Sequence, residues 1–497
     1  MRKKDHPPVN FSPTHSHCNS CSHNSEPLNK GALTDPQTQH IVTFFFYLFN
    51  ISYNFSQDFS KMGRGMTLSN LIILVTCMTL LMKVALHFVA YSSSSSCAGW
   101  GLIIDAGSSG SRVHIFTWNE NKFIETLKEV STLKISPGIS SYETGKEAGE
   151  SLETLLSHAR DIVPARCWSH TRLHLKATAG MRLVGEKRSN EIFEEIRSSL
   201  AGSSFKFLPT DAGVVLGADE AEFDYLSVNF ATRQLVARTK QTSTEFVGVT
   251  DLGGASTQIS FEVEPEQKNN PGVRTIALPG SSSAAQRSIY AVSRLHMGLY
   301  EAFKNTRRVY REEEGDDEGD DVSFPCALPG DYDKCARSIR QFIHKHAMED
   351  MSNLGTTAVA PPRVKSVTTF YGLDNYAKLA SVVFIMTRES QSKELPPQEF
   401  LQPDMKKWSK VARTLCALDW RELREIVPLK SAKDRLLRTS CFGIIYVTML
   451  VEDVYNLRGG GAEEERTKLI FAHSIGDVDG SWATGAAVKI FSQNGDV

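Results

Sequence analysis

From residue 100 onward the chain alternates between two kinds of pattern. Short apolar runs rich in β-branched residues occur at Gly101-Leu102-Ile103-Ile104, Val113-His114-Ile115-Phe116, Leu173-His174-Leu175-Lys176-Ala177, Val247-Gly248-Val249-Thr250 and Ile259-Ser260-Phe261-Glu262-Val263. Runs of this length and composition predict buried strands. Between them, residues 142–159, 186–200 and 217–225 space their apolar positions as amphipathic helices do. Strand and helix in alternation predict an α/β class. Beyond Pro265 the text reads as more helical, with a long helix expected over 284–311. A final strand, turn and helix over 470–490 are expected to rejoin the first lobe.

Two interruptions of this pattern carry chemistry. Asp105-Ala106-Gly107-Ser108-Ser109-Gly110-Ser111-Arg112 and Asp251-Leu252-Gly253-Gly254-Ala255-Ser256-Thr257-Gln258 each follow a predicted strand, begin with a carboxylate and lead into another strand. Glycines and small hydroxylated residues let successive backbone N–H groups turn inward and form an anion-binding concavity. One such turn is an ordinary hairpin device. Two Asp-headed copies predict two related lobes that clasp a phosphate group between them. A chain of 497 residues has the length for two lobes.

Charge narrows the partner. Lys and Arg number 55 against 57 Asp and Glu, which gives no overall field for grasping nucleic acid or an anionic surface and points to a small ligand. Two carboxylates beside a polyphosphate would repel it, so the pattern calls for a hard divalent cation, Mg2+ or Ca2+, held largely through its water shell. The sequence contains no Walker A loop, no GxSxG and no HExxH, which leaves direct attack of water on phosphorus. The base for that attack is sought in Gly217-Ala218-Asp219-Glu220-Ala221-Glu222-Phe223-Asp224-Tyr225, where four carboxylates share a short helical stretch. The acidic run 312–321 lacks the ligand order of a calcium-binding loop and reads as a solvated segment.

The N-terminal region differs in kind. Residues 1–66 form a polar, His/Asn/Ser-rich extension ending in an aromatic run. Residues 67–91 have the basic flank and apolar centre of a signal peptide or signal anchor, and 92–98 are a serine-rich linker. Met62 or Met66 would each open a conventional signal sequence. Lys83 interrupts the apolar run, and spanning a bilayer takes about 20 apolar residues. Retained, the segment would anchor the protein in a membrane; cleaved, it would leave it in the secretory lumen or outside the cell. Cys326 with Cys335 and Cys416 with Cys441 are the expected disulfides of an oxidising compartment.

Read together, residues 105–112, 176–183, 217–225, 251–258 and Ser481-Trp482-Ala483-Thr484-Gly485 resemble, in order, the signature regions of apyrases of the ecto-nucleoside triphosphate diphosphohydrolase family. Arg112, in its Gly-Ser-Arg-Val-His setting, is closest to the luminal nucleoside diphosphatase branch. The resemblance implies the actin, Hsp70 and sugar-kinase fold: two ribonuclease-H-like lobes, here 99–216 with 466–497 and then 217–465, around a nucleotide cleft. It implies nucleoside di- and triphosphates as substrates, GDP and UDP among them. It also places Asp105 and Asp251 on the cation through water, with Glu220 and the Trp482 region close by. Gly107, Ser108, Ser109, Gly110, Ser111, Arg112, Thr178, Ala179, Gly180, Gly253, Gly254 and Ala255 would surround the phosphates. Glu220 matches the catalytic base, Ser256 and Gln258 would orient the attacking water, and Tyr376 would stack on the base. Two positions depart from the family pattern, Ala221 for a glycine and Tyr225 for a tryptophan. Two other readings compete: an exopolyphosphatase of the same superfamily, and a luminal nucleotide-binding protein that has lost catalysis.

Overall fold

The computed structural model describes residues 76, 79, 83, 97, 99–235, 245–279, 286–314, 324–354, 367–387, 403–426, 432–457 and 467–492. The chain divides into two units, Met1–Ser95 and Ser96–Val497. In the first, Thr76, Thr79 and Lys83 are helical and exposed. The extension 1–66 and the rest of the expected signal segment lie outside the described residues. Among the described residues, no helix is long and apolar enough to cross a membrane.

In the second unit, Leu102, Ile103 and Ile104 on strand β1 (Trp100–Ala106) are wholly buried, as a strand covered on both faces requires. With β2 (Ser111–Thr117), β3 (Lys128–Ile135), β4 (Arg172–Ala177) and β5 (Ala212–Val214) it forms a five-stranded sheet ordered β3-β2-β1-β4-β5. The helices joining these strands are α1 (Gly145–Ser151), α2 (Glu153–Ile162), α3 (Ala179–Leu183) and α4 (Glu186–Ala201). Thr144 starts α1 with a capping box to Glu147, satisfying two N–H groups at the helix end. The single helix expected over 142–159 is therefore two, breaking at Leu152.

After α5 (Gly217–Ala231) come β6 (Gly248–Leu252), β7 (Ser256–Glu262), β8 (Val273–Ala277) and β9 (Gln286–Leu295). Helices α6 (Leu299–Glu314) and α7 (Tyr332–Leu354) precede β10 (Thr369–Asp374). Then follow α8 (Asn375–Thr387), α9 (Met405–Ala417), α10 (Ser440–Met449) and β11 (Lys468–Phe471). The second sheet runs β11-β10-β6-β7-β9-β8. Apart from edge strand β8 it repeats the first. β1 pairs antiparallel with β2 and parallel with β4, and β6 pairs antiparallel with β7 and parallel with β10. The two-lobed architecture implied by the Asp-headed loops is thus present in order and direction.

Two expectations need correction. The long helix over 284–311 is instead β9 followed by α6. Ile289 and Ala291 enter one hydrophobic core, while Tyr290 and Val292 enter another. A helix cannot divide four consecutive residues between opposite sides, and an alternating strand does so at every step. The closing segment 466–497 also splits. Leu469 and Phe471 sit in the second sheet, paired with β10 in parallel, while helix α11 (Trp482–Ser492) turns back against β1. Its Phe491 lies where a side chain on Gly101 would be, 2.4 Å from an added Cβ, and stacks on Trp118 at 5.0 Å.

Helices α5 and α11 form the central pair of the molecule, sharing a core with Ile103 and Phe116 of the first sheet and Val249 and Tyr371 of the second. Residues 220–230 of α5 are all buried. The helices approach so closely that a Cβ on Gly485 would lie 1.8 Å from the Phe223 carbonyl oxygen, and Ser227 Oγ donates to the Ser481 carbonyl at 2.7 Å. Both expected disulfides are present, Cys326–Cys335 and Cys416–Cys441. A third, Cys97–Cys167, joins the start of the first lobe to the segment before β4.

Candidate active site

Both Asp-headed loops close with the same hydrogen bond. The Gly107 N–H donates to the Gly110 carbonyl at 3.0 Å, and the Gly253 N–H donates to the Ser256 carbonyl at 3.0 Å, in each case from the second residue after the Asp to the fifth. The tips meet. A Cβ on Gly254 would lie 2.8 Å from Ser108 Oγ, and one on Gly180 would lie 2.8 Å from the Ser108 Cα. Glycine at 254 and 180 therefore lets Ser108 fit between the second loop and its own lobe. The N-terminus of α6 docks on the second loop, with Leu299 N–H donating to the Gly253 carbonyl at 2.9 Å and Tyr300 N–H to that of Gly254 at 3.0 Å.

The two loops line one cleft, open to solvent, with a cavity volume of about 120 Å³. Gly107, Ser108, Ser109, Gly110 and Arg112 line it from the first loop, and Gly253, Gly254, Ala255, Ser256 and Gln258 from the second. Asp105, Asp251, Thr178, Ala179, Glu220 and Trp482 complete the predicted set found there. Three expected residues do not line it. Ser111 is wholly buried at the start of β2, and Gly180 packs under Ser108. Tyr376 is wholly buried against Phe471, with its hydroxyl on Thr250 Oγ1 at 3.2 Å. A ring enclosed on all sides has no face for a nucleobase, so Tyr376 is a core residue.

Glu220 sits in the first turn of α5 with 6% of its surface exposed. Burial pushes its carboxyl up to about 7, against the opposing pull of Arg182, which is hydrogen-bonded to it. Arg182 reaches from α3 in the first lobe to the second, where it also donates to Ser293 Oγ at 3.3 Å and Ser256 Oγ at 3.4 Å. Gln258 Nε2 donates to the same two hydroxyls, at 2.8 Å to Ser256 and 2.9 Å to Ser293. Glu220, Ser256 and Gln258 thus belong to one network centred on Arg182. Ala221 fits inside α5 without exposure, and its carbonyl accepts from Ser260 Oγ at 2.7 Å.

Burial raises the carboxyl of Asp105, and raises Asp251 further with the help of Asp374 and Glu220. Asp105 Oδ1 and Asp251 Oδ1 are both buried without a hydrogen-bond partner. Unpartnered acceptors of this kind, on two residues that line one cleft, suit a hard cation and its water shell. Among the described residues, no three His, Cys, Asp or Glu side chains gather closely enough to hold a metal ion directly.

Sequence reasoning passed over Arg182, although it lies inside the second signature region, because its partners are far away along the chain. Lys134 and Asp374 also line the cleft unforeseen. Asp374 adopts a left-handed backbone, φ 51°, and is held by Asn375 Nδ2 at 2.9 Å and by Lys378. Tyr300, beside Gly254, lies under the Arg435 guanidinium at 3.7 Å.

Among known proteins, the chain is 38% identical over 166 residues to ectonucleoside triphosphate diphosphohydrolase 5 of Gallus gallus, covering 33% of this chain and 38% of that protein. It is 33% identical over 234 residues to probable apyrase 2 of Oryza sativa, covering 42% of this chain and 48% of that one. With probable apyrase 5 of Arabidopsis thaliana the identity is 28% over 411 residues, 78% of this chain and 81% of the relative. The chain thus matches less than half the length of the chicken and rice proteins and most of the Arabidopsis one. In fold it is similar to a nucleoside triphosphate hydrolase of Neospora caninum, with TM-score 0.51 and 13% identity over 84% of this chain and 98% of that one. Residues 92–495 match the GDA1/CD39 (nucleoside phosphatase) family, and the chain belongs to it.

Proposed function

We propose that the protein hydrolyses the terminal phosphate of nucleoside di- and triphosphates with the aid of Mg2+ or Ca2+. The observation that carries this reading is the placing of Glu220, a buried carboxyl poised near neutrality, in the same cleft as both phosphate loops. The two loops hold the terminal phosphate, Asp105 and Asp251 face the cation through water, and Arg112 and Thr178 add polar contacts. When bound, the cation would neutralise phosphate charge. Ser256 and Gln258 orient a water, and Glu220 removes its proton as the water oxygen bonds to phosphorus and the bridging P–O bond breaks. Orthophosphate and the shortened nucleotide leave. The disulfides support a secretory-pathway or extracellular location.

Phosphate release from GDP, UDP, ADP, their triphosphates and long-chain polyphosphate, with and without chelator, tests the proposal. The expected result is cation-dependent release from nucleotides well above that from polyphosphate. Release from polyphosphate alone, or release unaffected by chelator, would contradict it.

Arg182 opposes the larger effect of burial on Glu220, and this has a measurable sign. A base must be ionised to act, so the acid limb of kcat/KM follows Glu220, and activity falls about tenfold per pH unit below it. Arg182→Met removes the charge that favours the carboxylate. The limb is then expected to move up by about one unit or more, with the loss of activity greatest at acidic pH. A pH–rate profile of this variant superimposable on the wild type would show that Arg182 does not tune the base.

A further inference from the structure

Asp224 lies one helical turn beyond Glu220 on α5, which packs against β6, the strand that carries Asp251. It is wholly buried, and neither of its carboxylate oxygens has a hydrogen-bond partner. A carboxyl in that position lacks the donors an ionised acid needs, and the charged groups that act on it are acids: Asp251, Glu220, Asp105 and Asp374. Asp251 Oδ1 and Asp105 Oδ1 are left without donors in the same way. Elsewhere on α5 the sequence supplies partners for its buried acids. Glu222 meets Arg274 and Lys489, and Glu220 meets Arg182.

We propose that Asp224 is a positioning residue of the cation site, a third carboxylate that acts on the hydrated ion through water, one helical turn from Glu220. This inference rests on the cation-dependent reading given above. The water shell of a divalent ion supplies both the positive charge and the O–H donors that the acceptors of Asp105, Asp251 and Asp224 lack. Asp224 adds to the affinity for the ion and destabilises the protein when the ion is removed.

The test is direct binding of Mg2+ and of Ca2+ by calorimetry to the full chain without nucleotide, for the wild type and for Asp224→Asn, with melting temperatures taken in chelator. The variant is expected to bind the cation about 10- to 100-fold more weakly, as loss of an outer-shell partner does, and to melt in chelator at or above the wild-type temperature. Equal affinity in the two proteins overturns the inference and leaves the cation reading standing. A wild type that binds neither ion overturns both. Should Asp224→Asn fail to fold even in chelator, the carboxyl is a structural element and the inference fails. Asp224→Gly, read the same way, separates loss of charge from any misfit of the amide.

Discussion

Glu220→Gln is expected to lower turnover by about 10²- to 10⁴-fold, the usual contribution of a general base. The fold should persist, because the amide oxygen can still accept from Arg182 and one of several mutually repelling acids has been neutralised. Nucleotide binding does not need the proton transfer, so the loss should fall on kcat and leave KM near its wild-type value. Steady-state kinetics with a circular dichroism check of folding decide the matter. Activity near the wild-type rate would remove Glu220 from the mechanism. Among the described residues, no other carboxyl lining the cleft combines burial with contact to Ser256 through a shared guanidinium.

The second large effect is expected far from any reacting atom. In Gly485→Ala the new methyl group would lie 1.8 Å from the Phe223 carbonyl oxygen, a distance that forces α5 and α11 apart. Backbone atoms form the obstacle, so no side-chain rotation relieves it, and the cost should be about 3 kcal/mol, at the upper end for overpacking. Helix α5 also carries Glu220, so the shift reaches the active site, where a displacement of about 1 Å costs on the order of 10²-fold in rate. Denaturant unfolding and kcat measured on the same preparation should therefore fall together. A variant with wild-type stability would show that the two helices are not held at this crossing.

Why some of this was legible in the sequence and some was not follows from the range of the interactions. The Asp-headed loops are local features: strand, carboxylate, glycines and return strand occur within a few residues, and the repeated topology follows from them. Glu220 could be singled out because its motif is contiguous. The β9 segment was misread because Ile289-Tyr290-Ala291-Val292 has no polar face to reveal its period. Both of its faces are buried, in different cores, and an apolar run of this kind is compatible with helix or strand until its neighbours are known. Tyr376 looked available because its sequence neighbourhood is aromatic, but exposure depends on Phe471 and Thr250, which come from other strands. Arg182 and the Cys97–Cys167 disulfide depend on partners 38 and 70 residues away, beyond the reach of any local pattern.

Whether the two loops close on one terminal phosphate with Glu220 beside it is tested most directly by a crystal structure of Glu220→Gln with Mg2+ and GDP. The β-phosphate is expected in the cleft that Ser109 and Gly253 line from the two loops, with the cation facing Asp105 and Asp251 through water and a further water within hydrogen-bond reach of the side chain at position 220. A β-phosphate bound outside the two loops, or a position-220 side chain with no water between it and phosphorus, would contradict it.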